Sequence, residues 1–146
     1  MSNTVRSILD QKGSTIVTVL PEDTLAQAIL ELSQHKIGAV LVVDEKEEIK
    51  GILSERDIVR SFAGKIDIST AVTVSTVMTK SVTYVKMHQN LDECLHLMTT
   101  GRFRHLPVVE EGKLVGVISI GDVVKAVLAD REFQIGQLEY YITNTF

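Results

Sequence analysis

The 146-residue sequence predicts an α/β (α+β) module built from two pseudo-symmetric β-α-β-β-α repeats. Three observations carry this expectation. Val17-Thr18-Val19 recurs 66 positions later as Thr83-Tyr84-Val85, and at that offset Leu25, Ala28 and Leu32 fall on Leu91, Cys94 and Met98. Residues 39–43 likewise fall on 105–109, after which the offset drops to 65 and Gly51-Ile52-Leu53-Ser54 falls on Gly116-Val117-Ile118-Ser119. Within each copy the apolar residues switch between strand spacing and helical spacing.

A short β run opens each repeat, at residues 16–19 and 82–85. An amphipathic helix follows. Leu25, Ala28, Ile29 and Leu32 in the first copy, and Leu91, Cys94, Leu95 and Met98 in the second, make one apolar stripe at i, i+3, i+4, i+7. Two β runs come next, at 39–43 with 49–53 and at 106–109 with 114–118. Charged turns join them, and Glu111-Gly112-Lys113 suits a hairpin. The extra residue of the first copy falls in the acidic turn at 45–50, where an insertion costs little. A second helix closes each repeat, at 55–62 and 120–128. This places repeat 1 at 1–62, a linker at 63–75, repeat 2 at 76–129 and a helical extension at 130–146. In that extension Ile135, Leu138, Tyr141 and Ile142 share one helical face. A repeat of this size buries little apolar area alone, so the two are expected to share a core.

Composition narrows the function classes. Apolar residues make up 45% of the chain, enough for a core. The net charge of -4, with signs interspersed, opposes a sequence-independent nucleic-acid binder, which needs a basic face. One cysteine, Cys94, permits no internal disulfide and fits a reducing, cytoplasmic setting. Residues 1–10 lack a signal-peptide pattern, and no run reaches the length of a membrane span.

The strongest local pattern is Gly-φ-φ-Ser-x-x-Asp (φ, apolar). It occurs as Gly51-Ile52-Leu53-Ser54-Glu55-Arg56-Asp57 and as Gly116-Val117-Ile118-Ser119-Ile120-Gly121-Asp122. Each copy lies where a strand ends and a helix starts, a place suited to phosphate or ribose oxygens. Ser-x-x-Asp also satisfies a capping box, and the two roles are compatible because a carboxylate has spare acceptor sites. The second pattern is Gly101-Arg102-Phe103-Arg104-His105-Leu106-Pro107, whose arginines suit phosphate through their planar fork. The matching stretch His35-Lys36-Ile37-Gly38-Ala39 is less basic, so the two ligand positions are expected to be unequal. Neither a Rossmann nor a P-loop pattern is present. His35, His88, His96 and His105 show no metal spacing, and Cys94 sits on the apolar stripe as a core residue. No nucleophile with a paired base is visible, so no catalytic residue, no catalytic cofactor and no enzyme activity are expected.

Taken together, the repeat order, Leu106-Pro107-Val108-Val109 and the paired motifs resemble the CBS-domain family over about residues 5–128. The variant Ile52-Leu53-Ser54-Glu55-Arg56-Asp57-Ile58-Val59-Arg60 and the tail resemble small bacterial stand-alone CBS pairs (Bateman modules), often labelled signal-transduction proteins. The resemblance implies a regulatory module that binds an adenine nucleotide in two clefts between the repeats. AMP leads, with ADP, ATP, NAD(H) or S-adenosylmethionine as further ligands. In one cleft it assigns Ser119 and Asp122 to ribose and Ile16, Thr18, Val19, Ile37 and Ala39 to the base, with Gly38 and Gly121 also against the nucleotide. Arg104 and His105 there meet phosphate. In the other it assigns Ser54, Asp57, Thr83, Val85, Phe103 and Arg56. A homodimer is expected through apolar positions of the closing helices (Ile58, Val59, Phe62, Val123, Val124, Val127), together with an unidentified regulated protein and no nucleic-acid or membrane partner. The alternative is a structural or protein-interaction module with vestigial clefts.

Overall fold

The computed structural model describes residues 4–13, 16–64 and 72–139, with side chains described up to residue 131. The elements in chain order are α1 (Val5–Lys12), β1 (Thr18–Val19), α2 (Leu25–His35), β2 (Ala39–Val43), β3 (Ile49–Ser54), α3 (Glu55–Ala63), α4 (Val74–Val77), α5 (Leu91–Gly101), β4 (His105–Glu110), β5 (Lys113–Ser119) and α6 (Ile120–Glu139). Each repeat therefore carries the mixed α/β order read from the sequence. Two elements, α1 and α4, are additional to that order. In addition, the β run at 82–85 forms no named strand. It makes only an isolated parallel bridge, Val85 to Val108, closed by Val85 N–H donating to the Pro107 carbonyl at 2.9 Å and Val109 N–H to the Val85 carbonyl at 2.9 Å.

The chain forms two compact units, and they do not coincide with the sequence repeats. One lies between residues 15 and 83. The other joins α1 to the chain from Tyr84 onward. The extension expected from residue 130 continues α6 without a break as far as Glu139. The side chains of Ile135 and Leu138, and all of Tyr141 and Ile142, lie outside the described residues, as does most of the expected linker.

In the first-repeat unit, β1 pairs parallel with β2, and β2 antiparallel with β3. β2 is buried along its whole length, as five consecutive apolar residues require. Leu25, Ala28 and Leu32 of α2 join Val40, Val42, Leu53 and Ile58 in the core, and Val74 of α4 completes it. The stripe read from the sequence is thus the buried face, with Ile29 at its margin.

In the second-repeat unit, β4 and β5 form an antiparallel hairpin. Its two-residue turn puts both Glu111 and Gly112 at positive φ, 51° and 77°, the turn that matches strand twist. Leu91, Cys94 and Met98 of α5 pack with Leu106, Val108, Ile118 and Val123. Val5, Ile8 and Leu9 of α1 complete this core from one helical face at i, i+3, i+4. Fully burying a side chain of this size contributes about 1.5–3 kcal/mol, so these three explain why α1 belongs here.

Glycine makes each docking possible. A Cβ on Gly116 would lie 2.7 Å from Leu9 Cδ2, and one on Gly51 would lie 2.7 Å from both Met78 Sδ and the Thr79 carbonyl oxygen. The first residue of the repeated motif is a glycine because another segment crosses its face there.

Candidate functional site

Helices α2, α3, α5 and α6 each start on a reciprocal cap. Thr24 with Gln27, Ser54 with Asp57, and Asn90 with Glu93 form capping boxes. At α6, Ser119 N–H donates to Asp122 Oδ2 at 2.8 Å, and Asp122 N–H donates to Ser119 Oγ at 3.1 Å. Both Ser-x-x-Asp motifs are therefore caps, and capping uses one carboxylate oxygen in each. Ser54 N–H reaches Asp57 Oδ2 at 2.9 Å, and the Ser54 hydroxyl donates to the same oxygen at 3.1 Å.

The strand starts beside these caps are delivered by left-handed turns. Lys36 ends α2 at φ 54°, and Arg102 ends α5 at φ 57°. The chain then enters β2 through Ile37-Gly38-Ala39 and β4 through Phe103-Arg104-His105. Ala39 pairs with Ser54 and His105 with Ser119. Glu55 N–H donates to the Gly38 carbonyl at 2.9 Å, and Ile120 N–H to the Arg104 carbonyl at 2.8 Å. Within one unit, Arg104, His105, Ser119, Gly121 and Asp122 thus converge on the start of α6. Within the other, Gly38, Ala39, Ser54, Arg56 and Asp57 converge on the start of α3.

The third group at each cap was not legible from the motif. Lys12 Nζ donates to Asp122 Oδ2 at 2.8 Å and to the Val117 carbonyl at 2.9 Å. Thr79 takes the equivalent place in the other unit. Its hydroxyl donates to Asp57 Oδ1 at 3.0 Å and its N–H to the Ile52 carbonyl at 2.9 Å. Ile52 and Val117 hold the same motif position, so one ammonium does what a hydroxyl and an amide do together in the other copy. A signal for this was present: Thr4-Val5-x-x-Ile8-Leu9 recurs as Thr73-Val74-x-x-Val77-Met78. It marks the leading segments α1 and α4 as equivalents; Lys12 closes α1, and Thr79 lies just after α4.

Burial pushes the Asp122 carboxyl up, but the Lys12 ammonium and the Ser119 donors outweigh it and hold the pKa below the usual carboxylate value. Asp122 is half-buried and ionised at neutral pH, and its Oδ1 makes no hydrogen bond among the described residues. Arg104 is exposed, with no hydrogen bond or ion pair from its guanidinium among the described residues; His105 is half-buried.

Among the residues assigned to the base, Ile16, Ile37 and Gly38 are half-buried and Thr18 is exposed. Val19 and Ala39 are buried, and Val19 belongs to the core of its own unit. Val85 is fully buried and Phe103 packs on the core of the second-repeat unit, where the Phe103 ring covers Gly101. The side chains of Val19, Val85 and Phe103 thus also pack on the cores of their units. Thr83 is half-buried and Arg56 exposed. Among the described residues no helix is long and apolar enough to cross a membrane.

The family model of the CBS domain matches this chain twice, over residues 5–64 and 74–129. The chain belongs to the CBS-domain family. It is a tandem CBS pair, and the three solved relatives that follow are covered over 96–98% of their own lengths. A CBS-domain containing protein from Agrobacterium tumefaciens is 46% identical with a TM-score of 0.82, over 85% of this chain and 98% of that one. A putative signal-transduction protein with CBS domains from Burkholderia ambifaria is 45% identical with a TM-score of 0.83, over 88% and 96%. The protein CBSX2, solved in complex with AMP, is 25% identical with a TM-score of 0.70, over 87% and 97%. In the family match, α1 belongs to the first domain; in the packing, it belongs to the second-repeat unit.

Proposed function

We propose that this CBS pair is a regulatory module, not an enzyme, that binds an adenine nucleotide and passes the occupancy to a protein partner. The observation that carries this reading is Asp122: an ionised carboxylate held rigidly at a helix start, with Oδ1 open to a ribose diol. Arg104 and His105 sit at the adjoining strand start to meet phosphate. The AMP complex of CBSX2 supports the ligand class. AMP is the leading ligand, with ADP, ATP, NAD(H) and S-adenosylmethionine as competitors. Ser54, Arg56 and Asp57 form the corresponding group of the first repeat. Ile16, Thr18, Ile37 and Gly38 are retained as base contacts on the strength of the family resemblance.

The module acts as a homodimer in the reducing cytoplasm, on this reading. Val59 and Phe62 on α3, and Val124 and Leu128 on α6, are large apolar side chains left 40–67% exposed. Ile58 and Val123, by contrast, are buried in their own units and hold the fold instead.

Calorimetric titration with the five ligands tests the proposal, with mass spectrometry of whatever ligand accompanies the purified protein. A bound nucleotide should also raise the melting temperature, since binding to the native state adds about 2.7 kcal/mol at a hundredfold excess over Kd. Changing Arg104 and His105 together to Ala should weaken AMP at least about tenfold and leave adenosine unchanged, because charge-assisted hydrogen bonds contribute about 1.5–3 kcal/mol each. No heat and no melting shift with any of the five at millimolar concentration would refute the nucleotide reading.

A further inference from the structure

We propose that the two motif copies select ligands of different charge, and that Lys12 sets the difference. The Asp122 copy takes a phosphorylated, anionic adenosine ligand; the Asp57 copy takes an uncharged or cationic one. This rests on the reading that the chain binds adenosine-type ligands.

At the helix cap and the strand start the backbone frames of the two copies match. Serine caps the helix, aspartate returns to the serine N–H at 2.8 and 2.9 Å, and the first helical N–H donates to the strand-start carbonyl at 2.8 and 2.9 Å. Differences in ligand preference must then come from side chains. At Asp122 the third group is an ammonium, 2.8 Å from the carboxylate. At Asp57 it is the neutral hydroxyl of Thr79 at 3.0 Å. The strand starts differ in the same sense, Arg104-His105 against Gly38-Ala39. So do the first helical residues, Ile120-Gly121 against Glu55-Arg56. With histidine neutral, Lys12 and Arg104 against Asp122 leave one net positive charge. Arg56 against Glu55 and Asp57 leaves one net negative charge.

The hydrogen bonds differ too. Lys12 shares Oδ2 with the cap and leaves Oδ1 of Asp122 without a partner among the described residues. At Asp57 both oxygens are engaged, Oδ2 by Ser54 and Oδ1 by Thr79. Lys12 therefore neutralises the acid that a phosphate would otherwise meet and keeps an acceptor free for ribose. It is a specificity-determining residue acting through Asp122.

The test is calorimetric titration of the full chain with AMP and with adenosine, each at low and high salt. Wild type, Lys12→Met, Lys12→Arg and Thr79→Lys are compared. Losing one unit charge near the phosphate should weaken AMP about tenfold in Lys12→Met, with adenosine unchanged and a smaller salt dependence for AMP. Lys12→Arg should keep the preference for AMP. Thr79→Lys places an ammonium beside Asp57 on an exposed segment and should add a second AMP per chain. Equal loss of AMP and adenosine in Lys12→Met would overturn the proposal, since Lys12 would then only hold α1 in place; so would no change at all. If Lys12→Met fails to fold, Thr79→Lys decides, and an unchanged AMP stoichiometry overturns the proposal. Wild-type protein that binds none of the five ligands refutes the functional reading itself; one that binds S-adenosylmethionine but no phosphorylated ligand refutes only the charge selection. Binding with an unaltered AMP-to-adenosine ratio in the variants refutes only the charge selection.

Discussion

Gly51 and Gly116 hold the same place in the two motifs, yet alanine should be costly at one and mild at the other. A methyl on Gly116 would meet the far end of a leucine side chain, Leu9 Cδ2 at 2.7 Å and Cδ1 at 3.1 Å. Rotation of Leu9 can relieve most of that, at an overpacking cost of about 1–3 kcal/mol. Alanine in a strand returns roughly 0.5–1 kcal/mol relative to glycine. The net loss for Gly116→Ala is therefore about 1 kcal/mol. A methyl on Gly51 would meet the Thr79 carbonyl at 2.7 Å as well as Met78 Sδ at 2.7 Å. That carbonyl cannot rotate away, because Thr79 and Ile52 exchange two backbone hydrogen bonds of 2.9 Å. Moving the segment sacrifices both, at about 0.5–1.5 kcal/mol each, and overpacking against Met78 adds about 1–3 kcal/mol; less the roughly 0.5–1 kcal/mol that alanine returns, Gly51→Ala should cost about 3 kcal/mol. Denaturant unfolding of the two variants beside wild type measures the difference. For units of this size 1 kcal/mol corresponds to roughly 4–8 °C in Tm, so thermal melts should separate them as well. If Gly51→Ala is no less stable than Gly116→Ala, close backbone approach is not what the motif glycine provides.

Three further outcomes can be checked directly. Because the Asp122 pKa is held below its unfolded value, its contribution to stability is complete above about pH 4 and is lost as pH falls through the folded pKa. Acid titration of Asp122→Asn should accordingly show a shallower loss of stability below about pH 4 than wild type, and an identical slope would contradict the ion pair. Burial, with Glu93 nearby, pushes the Cys94 thiol up to about 11; it should resist thiol reagents at neutral pH in the native protein and react promptly in denaturant. Light scattering of wild type at tens of micromolar should give twice the 16.1 kDa chain mass, and Val59→Asp with Phe62→Asp should return the single-chain mass without lowering the melting temperature of the unit.

The helices with long stripes were the easiest part of the fold to read, for a physical reason. α2 and α5 bury Leu25, Ala28 and Leu32, and Leu91, Cys94 and Met98, against strands nearby in sequence, so period and burial coincide. α1 carries little signal of its own because its apolar face is only three residues and the elements it packs on, β5 and α6, lie far along the chain. The run at 82–85 forms a single bridge and no strand. Its β-branched residues suit a strand, but only Val85 finds a partner in β4. At the candidate site, the serine and aspartate of each motif were legible as caps and as acceptors. Lys12 and Thr79 were not, because nothing local links a residue to an acid across the 110 positions from Lys12 to Asp122. Composition could weigh the basic stretch around Arg104 against Gly38-Ala39; it could not reveal that a lysine from the start of the chain adds to that imbalance.

The pairing of α1 with the chain after Tyr84 makes one unit an insertion within the other, and this orders events during synthesis. The residues between 15 and 83 form a continuous stretch that can close as soon as it leaves the ribosome. α1 emerges well before β5 and must wait for it, on the order of ten seconds at the usual 5–20 residues per second. Until then Val5, Ile8 and Leu9 have no core to enter. Prior closure of the inserted unit shortens the span that α1 must search, and so reduces the entropy of that last step. A circular permutant that begins at Tyr84 and carries α1 on a tether after α6 would present both units as continuous chains, and should refold faster than the natural order.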